Sequence, residues 1–410
     1  MSFGPTTAPV LLAESAGISP TRGREYIVVL GSPVGKPQII AGLLLLAFLA
    51  QCLWLAVHSP MHTMELAQIQ QGQKLFQERV FSAEAARSPV IPVLAAAPLI
   101  GSGDDRALEN HASETRAIRS WRWRARLPFI AIGVLLGGSL WYVARRLYGN
   151  AGGYIALSLY AFSPALILRA ASIQPAIVAA WGAFGAVFTA IAVSHTLYAP
   201  REVVLWNWKR IGLLGLAITL GVGSQFALAA VVLLAFAFLL YLAPERRGAA
   251  LAIMAAACAV AFVLLFASFG FDLHAMFGSV RGVRTADVAP QLLGRRLTYT
   301  LLAMFFLRMP GVLVALLAAL VVYAVWKRPR FFGVNAPLIA FALLMLLGIT
   351  MPYLGGYNLF VAALPFAYVF IAGVFADLLE TRYSGPVFGV LMGVIVAHAV
   401  VSVMGMARLN

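Results

Sequence analysis

From Ile211 to Ala243 the chain runs for 33 residues without a charged side chain. About 20 apolar residues suffice for a helix to cross the roughly 30 Å hydrocarbon core of a bilayer, so this run is too long for one untilted span. The Gly221-Val222-Gly223-Ser224 cluster near its middle predicts a turn between two short helices. Comparable apolar runs predict spans at 38 to 57, 127 to 144, 151 to 169, 174 to 196, 249 to 268, 334 to 352, 357 to 379 and 386 to 406. A further stretch, 297 to 326, is interrupted at Arg308-Met309-Pro310, where proline removes a backbone donor and clashes with the preceding turn. Of the 410 residues, 62% are hydrophobic and 11% charged, which excludes a soluble globular domain. The predicted fold class is all-α, a polytopic membrane protein with about ten transmembrane helices.

Positive charge near short connections is retained on the cytoplasmic side. Arg22, Arg24 and Lys36 precede the first span; Arg145 and Arg146, then Arg201, Lys209 and Arg210, then Arg246 and Arg247, then Lys327, Arg328 and Arg330 recur at every second connection. The alternation predicts a multi-pass protein with a cytoplasmic amino terminus and an extracytoplasmic loop from His58 to Arg126. Residues 1–35, rich in Gly, Pro, Ser and Thr, read as a flexible cytoplasmic tail. They carry no cleavable signal pattern. The rest, 36–410, reads as the membrane domain. The net charge of +15 is mostly this topology signal, with attraction to anionic membrane lipids as a consequence. The basic residues are scattered over both faces, which argues against nucleic acid. The excess of arginine over lysine points to a GC-rich bacterial source and hence to a bacterial cytoplasmic (inner) membrane. Cys52 and Cys258 lie inside apolar runs and imply neither a disulfide framework nor a thiolate metal site.

The first outer loop holds seven of the fifteen acidic residues: Glu65, Glu78, Glu84, Asp104, Asp105, Glu109 and Glu114. Its segment from Thr63 to Phe81 has helical apolar spacing compatible with a membrane-surface helix. Pro89 to Gly101 is apolar but too short to span, so it lies in the interface or re-enters against other helices. A second extracytoplasmic segment, Gly270 to Arg296, carries Asp272, His274, Arg281, Arg284, Asp287, Arg295 and Arg296.

Arg126-Leu127-Pro128 opens a span that closes on Val143-Ala144-Arg145-Arg146-Leu147-Tyr148-Gly149; the next ends in Ala161-Phe162-Ser163-Pro164, followed by Arg169-Ala170-Ala171-Ser172; near the end stands Tyr357-Asn358-Leu359-Phe360-Val361-Ala362-Ala363-Leu364-Pro365-Phe366. This ordered set, covering most of the chain from span one to Glu380, resembles GT-C type membrane glycosyltransferases, such as protein O-mannosyltransferases and the lipid A aminoarabinose transferase. The resemblance implies a GT-C-like fold. It also implies transfer of a sugar from a polyprenyl-phosphate donor to an extracytoplasmic glycan, lipid or protein acceptor. Such chemistry needs a carboxylate to take the acceptor's proton and cations beside the departing phosphate. The family's Asp-Glu pair after span one falls on His62-Thr63 here. Its acidic turn after the third span reads Gln174-Pro175-Ala176, and its first-loop element is reduced to Ala86-Arg87-Ser88-Pro89.

The catalytic candidates are therefore Glu65 with His62, three residues apart and on one face if helical, and Glu84 beside Arg87. A solvated helix face and an ordinary loop ion pair are the competing readings. Arg87, Arg122, Arg124, Arg126, Arg281, Arg284 and Arg308 are candidates for phosphate binding. The Trp121-Arg122-Trp123-Arg124-Ala125-Arg126 run also fits an interfacial belt, and the loop arginines fit solvated charge. Arg308 beside Pro310 is an ionisable group at membrane depth and so a functional candidate. No spacing is a metal motif; a divalent metal ion stays open as cofactor, with the lipid-linked sugar as substrate. The alternatives to a transferase are a catalytically degenerate GT-C-fold protein that binds a polyprenyl-phosphate lipid or scaffolds envelope assembly, and a transporter or flippase. The last is disfavoured because no acidic residue falls at the centre of a span.

Overall fold

A computed structural model describes residues 35–78, 88–100, 114–198, 208–281, 309–326, 331–350 and 356–407. The expected tail, the loop sites Glu84, Arg87 and Arg284, and Arg308 lie outside these residues.

Among the described residues the chain is helical throughout, without strands. In chain order the helices are α1 (Lys36–His58), α2 (Thr63–Glu78), α3 (Val90–Ala96), α4 (Glu114–Ala161), α5 (Pro164–Ala170), α6 (Pro175–Thr196), α7 (Trp208–Ser224), α8 (Ala229–Leu242), α9 (Arg247–Ser268), α10 (Leu273–Arg281), α11 (Pro310–Val325), α12 (Phe331–Thr350), α13 (Gly356–Leu379) and α14 (Ser384–Ala407). Seven described segments are long and apolar enough to cross a membrane, and three more apolar helices are shorter: Val90–Leu99, Phe226–Leu242 and Pro310–Val325. Large apolar side chains such as Leu43, Leu46, Leu233 and Val325 stand exposed on the outside of the bundle. On a water-soluble monomer so much apolar surface would drive association; around apolar helices of this length it is the surface that meets lipid. The chain is a membrane protein with transmembrane helices.

The centre of the bundle is α13, whose apolar window is wholly buried. It packs against α12, α4, α6, α11 and α14, and α6 in turn packs against α7 and α8. By contrast α1 and α14 keep most of their surface outside. Close helix approach depends on small residues. A Cβ on Gly182 of α6 would fall 2.3 Å from the backbone nitrogen of Gly221 on α7.

The expected turn in the long apolar run is present. Helix α7 ends at Ser224, and α8 begins at Ala229 after a 3-10 turn, Phe226–Leu228. Helix α11 begins at Pro310, the residue expected to interrupt its run. The spans expected at 127 to 144 and 151 to 169 are separated, as expected, at Gly149, whose non-helical φ of 76° only glycine adopts without strain. The second ends earlier than expected, since α4 closes at Ala161. It stops before Pro164, which lacks a backbone donor and restricts the residue before it. Ser163 is extended, with φ −79° and ψ 110°, and α5 starts afresh at the proline.

The first loop is partly helical, as expected, but its pieces pack into the body. Helix α2 buries Glu65, Ile69, Gly72 and Leu75 on one side. Helix α3 seats on it at Gly72, where a Cβ would fall 2.1 Å from the Pro92 carbonyl oxygen. Ser88 just before α3 donates to the Ser224 carbonyl at the end of α7 (2.8 Å). The short apolar segment Val90–Leu99 packs against α2, α4 and α7.

Candidate functional site

Helix α1 ends at His58 with free carbonyls, since the last turn of a helix has no intrahelical donors for them. Arg126, from α4, fills that role. Its Nη1 donates to the carbonyl oxygens of Ala56 (3.0 Å) and Ser59 (3.3 Å) and to Ser59 Oγ (2.9 Å), and its Nη2 to the Pro60 carbonyl (3.2 Å). A cation there also meets the negative end of the α1 dipole. Two turns of sequence later Glu65 stands in the first turn of α2, where an acid is favoured, and accepts the backbone N–H of His62 (3.0 Å) as half of a capping box. The two side chains close a bidentate pair, Arg126 Nε to Glu65 Oε1 at 3.1 Å and Nη2 to Oε2 at 2.7 Å. The Ile173 N–H, just before α6, donates to Oε1 at 2.8 Å. Each residue of the pair is 1% exposed. Four segments, the end of α1, the start of α2, α4 and the α5–α6 turn, are thus pinned at one point.

Burial pushes the Glu65 carboxyl upward; the Arg126 guanidinium, through its hydrogen bonds and its charge, and the amides of Ile173 and His62 outweigh this and hold it below its ordinary value of 4.5. A carboxylate lowered on folding contributes stability that is present above its unfolded pKa and lost as pH falls through the folded value. Wild type is therefore expected to lose more stability than Glu65→Gln between about pH 5 and about pH 3. Thermal unfolding at a series of pH values checks this; parallel curves for the two proteins would contradict it.

Beside the pair lies a cavity of about 340 Å³, walled by Leu55 of α1, by Ser59 and Pro60 just after it, by His62, by the edge of Arg126, by Leu168 and Arg169 of α5, by Ser172 and Gln174 of the following turn, and by Tyr357 at the start of α13. Among the described residues, none on its wall is acidic. Arg126 is neutralised by Glu65, whereas Arg169 has no carboxylate partner among the described residues; its guanidinium lies 4.7 Å from the centroid of the Tyr357 ring. Such a cation over an aromatic face stays available to an anion. The His62 side chain is exposed on the cavity wall.

The candidates divide accordingly. Glu65, His62 and Arg126 come together. Glu65 and His62 do not share a helix face, because α2 starts at Thr63 and turns Glu65 inward, while His62 precedes it. Arg124 is exposed, with its guanidinium 6.0 Å from the Trp123 ring centroid. The backbones of Arg122 and Arg281 lie in α4 and α10; their side chains are outside the described structure. Asp272 accepts the N–H groups of His274 (2.8 Å) and Ala275 (3.1 Å), so it caps α10. Among the described residues no three of His, Cys, Asp or Glu gather in a way that could hold a metal ion. Arg169 and Tyr357 escaped the sequence reading as site residues, although both stand in or beside the segments that carry the resemblance. The signal for Arg169 was an arginine closing a one-proline helix just where the chain turns back. No family model, curated protein or solved structure matches the chain.

Proposed function

We propose that this protein is a GT-C-like membrane glycosyltransferase that takes a sugar from a polyprenyl-phosphate donor and passes it to a glycan, lipid or protein acceptor on the extracytoplasmic side. The observation that carries this reading is the cavity at the ends of α1, α6 and α13, into which Arg169 brings a charge that no described carboxylate neutralises. A lipid phosphate can place its head there, level with the ends of the apolar spans, while its chain stays in the bilayer. Guanidinium matches a phosphate through its planar fork of donors. Ser172 and Gln174 supply hydroxyl and amide groups suited to sugar hydroxyls.

A second reading, a degenerate member that binds the lipid without transfer, is favoured by one observation: Glu65, the carboxylate paired with Arg126 of the cavity wall, is committed on both oxygens to Arg126 and two amides. Purified protein in nanodiscs, titrated with a panel of polyprenyl-phosphate hexoses and pentoses, tests the common core of both. Arg169→Ala is expected to weaken donor binding about 10-fold to 100-fold, as for a lost charged hydrogen bond. Failure of the wild type to bind any of the panel would sink both readings. Acceptor-dependent release of labelled sugar separates the first from the second.

A further inference from the structure

We infer that His62 is the catalytic base of the transfer, an inference that rests on the glycosyltransferase reading above. A base must have a free lone pair within reach of the acceptor hydroxyl. Glu65 fails that requirement: Oε1 receives Arg126 Nε and the Ile173 amide, and Oε2 receives Arg126 Nη2 and the His62 amide. Its partnership with the Arg126 guanidinium, which outweighs the effect of burial, also lowers its basicity. Among the described residues, the titratable side chains on the cavity wall are then His62, Arg126, Arg169 and Tyr357. Guanidinium does not give up its proton, and a phenol is ordinarily protonated at neutral pH. Imidazole is the one side-chain type among them that exchanges a proton near neutrality.

The backbone at His62 is held by hydrogen bonds, and its ring has none to the described residues. Its N–H donates to Glu65 Oε2, and its carbonyl accepts the N–H groups of Glu65 (2.9 Å) and Leu66 (3.2 Å) as the first bonds of α2. The ring stands on the cavity wall, exposed. The Glu65–Arg126 pair thus holds the backbone from which His62 projects, and Arg169 of α5 brings its charge to the same cavity. In the step, the acceptor hydroxyl gives its proton to a ring nitrogen of His62 as its oxygen bonds to the anomeric carbon. The bond from that carbon to the phosphate oxygen breaks, and its electron pair leaves on the polyprenyl phosphate, beside Arg169. The imidazolium then returns its proton to water.

The test compares wild type, His62→Asn and His62→Ala in nanodiscs with a radiolabelled polyprenyl-phosphate sugar and a panel of glycan, lipid and protein acceptors. Both variants are expected to bind donor as wild type does and to lose acceptor-dependent release by about 100-fold or more. Added imidazole is expected to restore part of the rate to His62→Ala. Transfer at the wild-type rate in His62→Asn, or a wild type that binds donor and transfers to no acceptor, overturns the inference while leaving donor binding at the cavity intact. Wild type that binds no donor overturns the reading beneath it.

Discussion

Arg126→Ala is expected to destabilise the folded protein by about 3–5 kcal/mol, the cost of breaking a buried ion pair from one side. The substitution leaves the Glu65 carboxylate at 1% exposure with only the amides of Ile173 and His62 to hold it. It also strips the donors from the carbonyls of Ala56, Ser59 and Pro60 where α1 ends. Removing both charges is a different experiment, because a buried pair gains from mutual attraction only about what it lost in desolvation. The double variant Glu65→Met with Arg126→Met is therefore expected to be more stable than Arg126→Met alone, though below wild type because the α1 carbonyls stay unpaired. Reversible unfolding in mixed micelles measures all three. A double variant no better than the single would show that Arg126 acts through the carbonyls alone.

Gly182→Val is expected to cost about 3 kcal/mol or more, the upper end for overpacking, because what stands in the way is main chain. A Cβ at Gly182 would lie 2.3 Å from the nitrogen and 2.5 Å from the Cα of Gly221, and 2.8 Å from the Ala217 carbonyl oxygen. A side chain can rotate away from an intruding methyl; a neighbouring helix must move as a body. Helices α6 and α7 would separate, and α6 lies directly against the central α13. Gly138→Ala, where nothing lies within 4 Å of the added carbon, is the control and is expected to leave the thermal midpoint in detergent unchanged. Equal midpoints for Gly182→Val and Gly138→Ala would refute the close approach of the two helices.

What could be read from the text followed from local physics. The helix break just after Gly221–Ser224 and the start at Pro310 are backbone effects that act within a turn, so the residues themselves announce them. The end of α4 at Ala161 is the same kind of effect, yet it was read through, because the apolar run continues past Ser163-Pro164 and hydropathy does not register a missing donor. The first loop was harder. Its acids were legible as a cluster, but whether Glu65 faces water or protein depends on α4 returning Arg126 to the same point from 61 residues away.

The sequence alone determined that this chain is a bundle of membrane helices and where several of them begin and end, because solubility in lipid and the geometry of proline and glycine are properties of short segments. Only the tertiary structure decided the chemistry of the site. It closed Glu65 and Arg126 into a buried, mutually neutralised pair, left Arg169 over Tyr357 without an acidic partner among the described residues, and set His62 on the cavity wall. A side chain's charge is written in the sequence; whether that charge is spent on a neighbour or offered to a ligand depends on which distant segments fold against it.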